Sequence, residues 1–120
     1  MMNSEILLKE KLELRKKEWL SWHNKNPNIW TAFERFALEA AEANRPRYSH
    51  WAVMNRVRWH TDIETTGKVF KISNDHIAFY ARAFCAKHPQ YKTFFRLKAL
   101  KEEQQLRRLR ATGENDADNR

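Results

Sequence analysis

The chain has 120 residues, a formal net charge of +8 and 42% hydrophobic residues. This length suits one domain with a modest core, and five tryptophans argue against disorder over most of the chain. No run approaches the roughly 18 apolar residues of a membrane helix, and the start lacks a secretion-signal pattern, so we expect no membrane association and a cytoplasmic location. A single cysteine, Cys85, excludes an intramolecular disulfide.

Basic residues are separated from acidic ones along the chain. From residue 43 to residue 61 every charged residue is an arginine, and from residue 76 to residue 101 the charged residues are again all basic. Segregation of this kind is typical of a surface that faces a polyanion. A basic face that serves only solubility is the alternative interpretation.

The first two predicted elements are helices. Residues 1–23 form an N-terminal charged segment whose amphipathic helix begins at Ser4, and residues 24–111 form the helical domain. Asn26-Pro27 starts the second helix, about residues 28–43. Its core stripe consists of Ile29, Phe33, Phe36, Ala37 and Ala40.

A short third helix is predicted from about residue 50 to residue 60, with Ser49 as its N-cap. Val53, Met54 and Val57 make its buried side. About four residues join it to the second helix, which fits a helix-turn-helix, although an ordinary helical corner explains the pattern equally well. Asn55 and Arg58 are expected on opposite flanks of this helix, and Trp51 and Trp59 are expected to pack against the first helix rather than stack on bases.

A small β-hairpin is predicted over residues 61–72, with Thr66-Gly67 as its turn. The acidic residues Asp62 and Glu64 fit poorly on a strand that would follow phosphates. The predicted fold is therefore mainly α, with about five helices and one hairpin, and is similar to a winged helix-turn-helix.

Two further helices complete the prediction. Ser73-Asn74-Asp75 caps a helix over about residues 75–88, which buries Ile77, Tyr80, Ala81, Phe84 and Cys85. His88-Pro89 ends it, and a last helix is expected from Tyr91 to about Ala111. Residues 112–120 are expected to form a disordered tail.

The candidate DNA-binding residues lie between residues 45 and 71. Arginine suits guanine and asparagine suits adenine, so the nominated base readers are Asn55, Arg56 and Arg58. The nominated phosphate contacts are Arg45, Arg47, Lys68 and Lys71, and His50 and His60 would add charge below about pH 6.5. About six phosphate contacts would give a salt slope of roughly −5. A secondary basic surface is expected from Arg82, Lys87, Lys92, Arg96 and Lys98.

Catalytic signatures are weak. His60, Asp62 and Glu64 lie close together in sequence, but a metal nuclease normally needs further carboxylates from other elements. No zinc spacing, phosphate-binding glycine loop or nucleophile elbow is present, and Cys85 falls on the apolar side of its helix. We therefore expect no metal, no cofactor and no enzymatic activity.

Several short motifs together resemble a group of small proteins encoded by bacteriophages and prophages. They are Trp22-His23, Asn26-Pro27, Arg58-Trp59-His60, Phe70-Lys71-Ile72, Asn74, Tyr80-Ala81-Arg82, His88-Pro89 and Phe94-Phe95. The resemblance covers roughly residues 20–97 and implies a viral or prophage origin, with a bacterial host cell. It leaves two functions open.

The first function is binding of double-stranded DNA in transcriptional or replication control. A homodimer would then match a palindromic site. The second is binding to a host protein as an inhibitor or adaptor, which the wide apolar surface of the fourth helix and the long charged terminal helices favour.

Overall fold

The protein is mainly helical in a computed structural model that describes residues 4–65, 70–97 and 100–118. Within these residues there are five α-helices, which are Ser4–Lys25 (α1), Pro27–Glu42 (α2), His50–Trp59 (α3), Asn74–Lys87 (α4) and Lys101–Asp118 (α5). A π-helical turn, His60–Glu64, continues α3, and a short 3-10 turn, Pro89–Tyr91, follows α4. The prediction of a mainly helical chain is confirmed.

Helix starts follow the capping signals in the sequence. Pro27 occupies the first turn of α2, where its missing N–H costs no hydrogen bond. The Ser49 hydroxyl accepts a hydrogen bond from the Ala52 amide at the start of α3. The Ser73 hydroxyl accepts one from the His76 amide at the start of α4. The caps predicted at Ser49 and Ser73 are therefore confirmed.

The chain divides into two compact units. The central unit is Trp19–Leu97, and the terminal unit combines Met1–Glu18 with Lys98–Arg120. In the terminal unit, the Arg110 guanidinium lies 3.1 Å from the Glu5 carboxylate, and Arg15 pairs with Glu102. These ion pairs join α1 to α5 within that unit.

The hydrophobic core of the central unit is built from α2, α3, α4 and residues 94–95. It contains the predicted buried sides of α2 and α3 almost unchanged, including Phe33, Met54 and Val57, which are all fully buried. From α4 it takes Ile77, Tyr80, Ala81 and Phe84, again as predicted. Tyr80 is fully buried and lies at the centre of an aromatic cluster that also includes Trp19, Trp22, His23, Trp30 and Phe33.

The predicted β-hairpin over residues 61–72 is wrong, because its first half is helical. The Thr61 hydroxyl donates to the Val57 carbonyl at 2.9 Å, and the Thr65 hydroxyl donates to the Thr61 carbonyl at 2.7 Å. Hydroxyl bonds to the carbonyl four residues earlier form on a helical backbone, and α3 continues into the wider turn His60–Glu64 instead of a strand. The proposed turn at Thr66-Gly67 lies outside the described residues. With its first strand helical, the winged helix-turn-helix interpretation fails.

The connection between α2 and α3 is longer than predicted. It runs from residue 43 to residue 49 rather than over about four residues. It includes Asn44, whose φ of 63° places it in the left-handed region. Asparagine tolerates this conformation better than most residues and commonly ends a helix in this way. The connection therefore departs from the tight turn of a helix-turn-helix.

The start of the last predicted helix, at Tyr91, is also wrong. α5 begins at Lys101, and residues 92–97 are not helical. Phe94 and Phe95 are both buried in the core, and the Tyr48 amide donates to the Phe94 carbonyl at 2.9 Å. Contacts with a distant part of the chain thus replace the helical hydrogen bonds that local propensity favours. The resulting isolated bridge between Tyr48 and Phe95 is the sole β-type pairing among the described residues.

Candidate nucleic-acid interface

One side of α3 and its π-helical continuation is exposed to solvent. Trp51, Trp59 and Ile63 have 40%, 57% and 60% of their surface exposed, and Asn55 lies in the same row. Successive members are four residues apart, which places them about one helical turn from each other. Together with Arg58, we call these residues the α3 face. Its orientation is fixed because the opposite side of the helix is buried in the core.

The exposure of the two tryptophans overturns the expectation that they pack inside the protein. The ring of Trp51 does contact the ring of His50, with the centroids 6.1 Å apart, but the indole stays 40% exposed. The sequence carries no signal that separates these indoles from the three at Trp19, Trp22 and Trp30, which are partly buried. Which tryptophans reach solvent depends on which helix sides meet.

Asn55 and Arg58 lie side by side rather than on opposite flanks. An Arg58 guanidinium nitrogen donates to the Asn55 side-chain oxygen at 3.1 Å. Residues three apart are neighbours on a helix surface, which explains the contact. The bond holds the guanidinium over the α3 face, so these two nominated base readers act as one polar group between the two tryptophans.

Arg56, the third nominated base reader, is occupied within the protein. Its guanidinium lies 2.9 Å from the Glu64 carboxylate and 4.2 Å from the centre of the Phe36 ring. His60 lies 3.0 Å from the same carboxylate, and its ring packs edge-on against Phe36. Hydrogen bonds from His60 and Arg56 lower the pKa of Glu64, so the carboxylate stays charged.

This cluster secures the π-helical turn against α2. It also gives a role to Glu64, which fitted a strand poorly. On a helix, Glu64 lies one turn after His60, and the two side chains can pair. That spacing is the sequence signal that favoured helix over hairpin here. Arg56 and His60 are therefore assigned to the structure of the site rather than to ligand contact.

The nominated phosphate contacts that the structure describes lie outside the helices. Arg45 and Arg47 are exposed in the connection before α3, within four residues of the cap Ser49. No acidic side chain pairs with Arg45, Arg47 or Arg58 in the part of the chain that the structure describes. Lys71 is exposed, and Lys68 lies outside the described residues. Burial lowers the pKa of His50, so its ring adds no charge at neutral pH.

The secondary basic surface is not a uniform cationic patch. The Lys87 ammonium lies 2.7 Å from the Glu34 carboxylate, which is also 2.9 Å from His88. Arg82 is only partly exposed, whereas Lys92 and Arg96 are exposed, and Lys98 lies outside the described residues. At least one of the five predicted cations is therefore neutralised by a partner that sequence analysis did not identify.

Glu34 gives a pH-dependent prediction for the contact between α2 and α4. Burial raises the pKa of Glu34, but hydrogen bonds from Lys87 and His88 outweigh it and hold the pKa below 4.5. We expect Glu34→Gln to lower the free energy of unfolding by about 0.5–1 kcal/mol at pH 7, a small value because solvent screens the pair. The loss should shrink as the pH falls from 4.5 through the lower pKa that Glu34 has in the folded protein. The reason is that the interactions that lower this pKa stabilise only the ionised carboxylate.

Urea unfolding at pH 7 and pH 3.5 measures this difference. Glu39→Gln is the matched control, since Glu39 is 60% exposed and pairs with Arg35 on one turn of α2. We expect it to change the free energy of unfolding by less than about 0.5 kcal/mol at either pH. An equal loss for Glu34→Gln at both pH values would contradict the electrostatic explanation.

Other kinds of site receive little support. Among the described residues no group of three or more histidine, cysteine or acidic side chains is arranged to hold a metal ion. Burial raises the pKa of the Cys85 thiol, which leaves little of the nucleophilic thiolate at neutral pH. No helix in the described part of the chain has the length and apolar character needed to cross a membrane.

Comparisons of the chain with protein-family models, with curated proteins and with solved structures find no match. The phage or prophage origin implied by the sequence resemblance therefore stays a prediction. The geometry of the α3 face is the remaining basis for a functional conclusion.

Proposed function

We propose that the protein is a non-catalytic DNA-binding protein that contacts DNA through the α3 face. The observation that carries the proposal is the composition of this one exposed surface. Trp51 and Trp59 flank the Asn55–Arg58 pair, and residues 43–61, which contain all four, include no acidic residue. Aromatic rings, an oriented guanidinium and neighbouring arginines are the groups with which proteins contact bases and phosphates.

The charge around the α3 face is uneven along the helix. Arg45 and Arg47 lie beyond its N-terminal end, whereas Asp62 is exposed near its C-terminal end. Glu64 lies further on, but Arg56 and His60 offset its charge. A polyanion on this face is therefore expected to extend toward Arg47 and away from Asp62.

Arg58→Ala tests the proposed contact. We expect it to lower affinity for DNA about tenfold, since loss of an arginine that contacts a base or phosphate typically costs about 1–3 kcal/mol. Fluorescence anisotropy with an end-labelled oligonucleotide at 50 mM salt measures the change, and circular dichroism checks that the helices persist.

The matched control is Arg35→Ala, the same substitution at a 60% exposed arginine of α2 that already pairs with Glu39. It should leave affinity within about twofold of the unchanged protein, because it removes no residue of the α3 face. Equal affinities for the Arg58 and Arg35 variants would overturn the proposed interface.

A second candidate function is binding to a host protein. It is favoured by the apolar end of the α3 face, where Trp59 and Ile63 are 57% and 60% exposed. Tryptophan and arginine are enriched among the residues that dominate protein–protein binding energy. Capture from bacterial lysate distinguishes the two functions. A partner that survives nuclease treatment and is lost in a Trp59→Ala variant would favour the host protein.

A further inference from the structure

We infer that Trp51 and Trp59 form a stacking platform for unpaired bases, so that the ligand of the α3 face is single-stranded rather than duplex DNA. This inference rests on the proposed function and names its substrate class. It departs from the sequence-based expectation of double-stranded DNA because the two indoles, expected to be packed inside, are exposed.

The five tryptophans fall into two groups. Trp19, Trp22 and Trp30 pack around Tyr80 and are partly buried, with ring centroids 5.5–6.1 Å from it. Trp51 and Trp59 are exposed instead, and both lie on α3. Indoles are large apolar surfaces that a folded protein usually covers, so two on one helix side indicate a ligand with flat apolar faces.

The spacing of the two rings suits a short stretch of single strand. They are eight residues apart, which corresponds to about 12 Å along an α-helix. Stacked nucleotides of one strand are about 3.4 Å apart, so the interval spans roughly three nucleotides. Asn55 and Arg58 occupy this interval and supply donors to base edges or to the phosphates between the stacked bases.

A duplex offers the indoles of the α3 face few base faces on which to stack. Its bases expose only their edges in the grooves, because their faces are covered by neighbouring base pairs. An unpaired base exposes its whole ring, and stacking on an aromatic side chain is worth roughly 1–3 kcal/mol per base. The α3 face combines two such rings with arginines, as single-strand-binding surfaces do.

The test compares a labelled twelve-nucleotide oligo-dT with a duplex of equal length and mixed sequence, by fluorescence anisotropy on the full chain. We expect the single strand to bind at least tenfold more tightly than the duplex. Trp51→Ala and Trp59→Ala should each weaken oligo-dT binding roughly 5- to 100-fold. Trp51→Phe and Trp59→Phe should retain most of the affinity, because phenylalanine keeps an aromatic face.

Leu20→Ala is the control for loss of exposed apolar surface, since Leu20 is 49% exposed on α1. It should not change oligo-dT affinity, and thermal melting of each variant verifies its fold. Tighter binding to duplex, or oligo-dT binding unaffected by both Trp→Ala changes, overturns the inference but leaves DNA binding standing. Absence of binding to both probes overturns the inference and the proposed function together.

Discussion

Replacement of Tyr80 by alanine is expected to lower the free energy of unfolding by about 3–5 kcal/mol, the usual cost of truncating a buried aromatic side chain. Tyr80 is fully buried, and its ring lies 5.5–6.1 Å from the rings of five others. Its removal leaves a cavity shared by α1, α2 and α4. A loss of this size is a large part of the roughly 5–15 kcal/mol that stabilises a typical domain.

Urea denaturation followed by circular dichroism measures the loss. Tyr48→Ala is the matched control, because Tyr48 belongs to the same unit but is 42% exposed and stacks on Phe94 alone among the described rings. We expect Tyr48→Ala to lower the free energy of unfolding by about 1 kcal/mol. Similar losses for the two variants would mean that Tyr80 is not the centre of the core.

Removal of the Tyr80 hydroxyl alone is expected to change the free energy of unfolding in the opposite direction. It is buried, it has no hydrogen-bond partner among the described residues, and burial raises the pKa of the phenol. An unpaired buried polar group destabilises the folded state, so Tyr80→Phe should raise the free energy of unfolding by about 1 kcal/mol. A loss of more than about 1 kcal/mol in the same urea titration would instead show that the hydroxyl has a partner in solution.

DNA affinity is expected to fall steeply with salt. Among the described residues, four of the nominated cations are still available to bind phosphate, since Arg45, Arg47 and Lys71 are exposed and Arg58 is partly exposed, whereas Arg56 is occupied by Glu64. About four phosphate contacts, rather than six, give a slope of log affinity against log salt of roughly −3 for a single strand. Between 50 and 200 mM salt the affinity should therefore fall about 60-fold.

Anisotropy titrations with oligo-dT at four salt concentrations measure the slope. The double variant Arg45→Ala/Arg47→Ala should make it shallower by about 1.4, because two fewer counterions are released per complex. Trp59→Ala should weaken binding at every concentration with the slope unchanged, since stacking releases no phosphate counterion. If the oligo-dT affinity of the unchanged protein did not depend on salt concentration, the proposal that the ligand is a polyanion would be wrong.

The sequence by itself determined the helical class, most helix starts and the inward sides of the central helices. These features depend on local physics. Pro27, Ser49 and Ser73 satisfy or omit amides at helix starts, and apolar residues recur at helical spacing through Ile29, Phe33 and Phe36. The acid-free composition of residues 43–61 was equally visible, and with it the candidate cations.

Only the tertiary structure decided the details that bear on function. Residues 61–64 are helical because Glu64 meets Arg56 and His60, both of which pack on Phe36 of α2. Lys87 is neutralised by Glu34, which is distant in sequence. Trp51 and Trp59 are exposed because α2, α4 and residues 94–95 cover the other side of α3. Each outcome depends on contacts between different helices, and apart from the His60–Glu64 spacing the local sequence pattern does not contain that information.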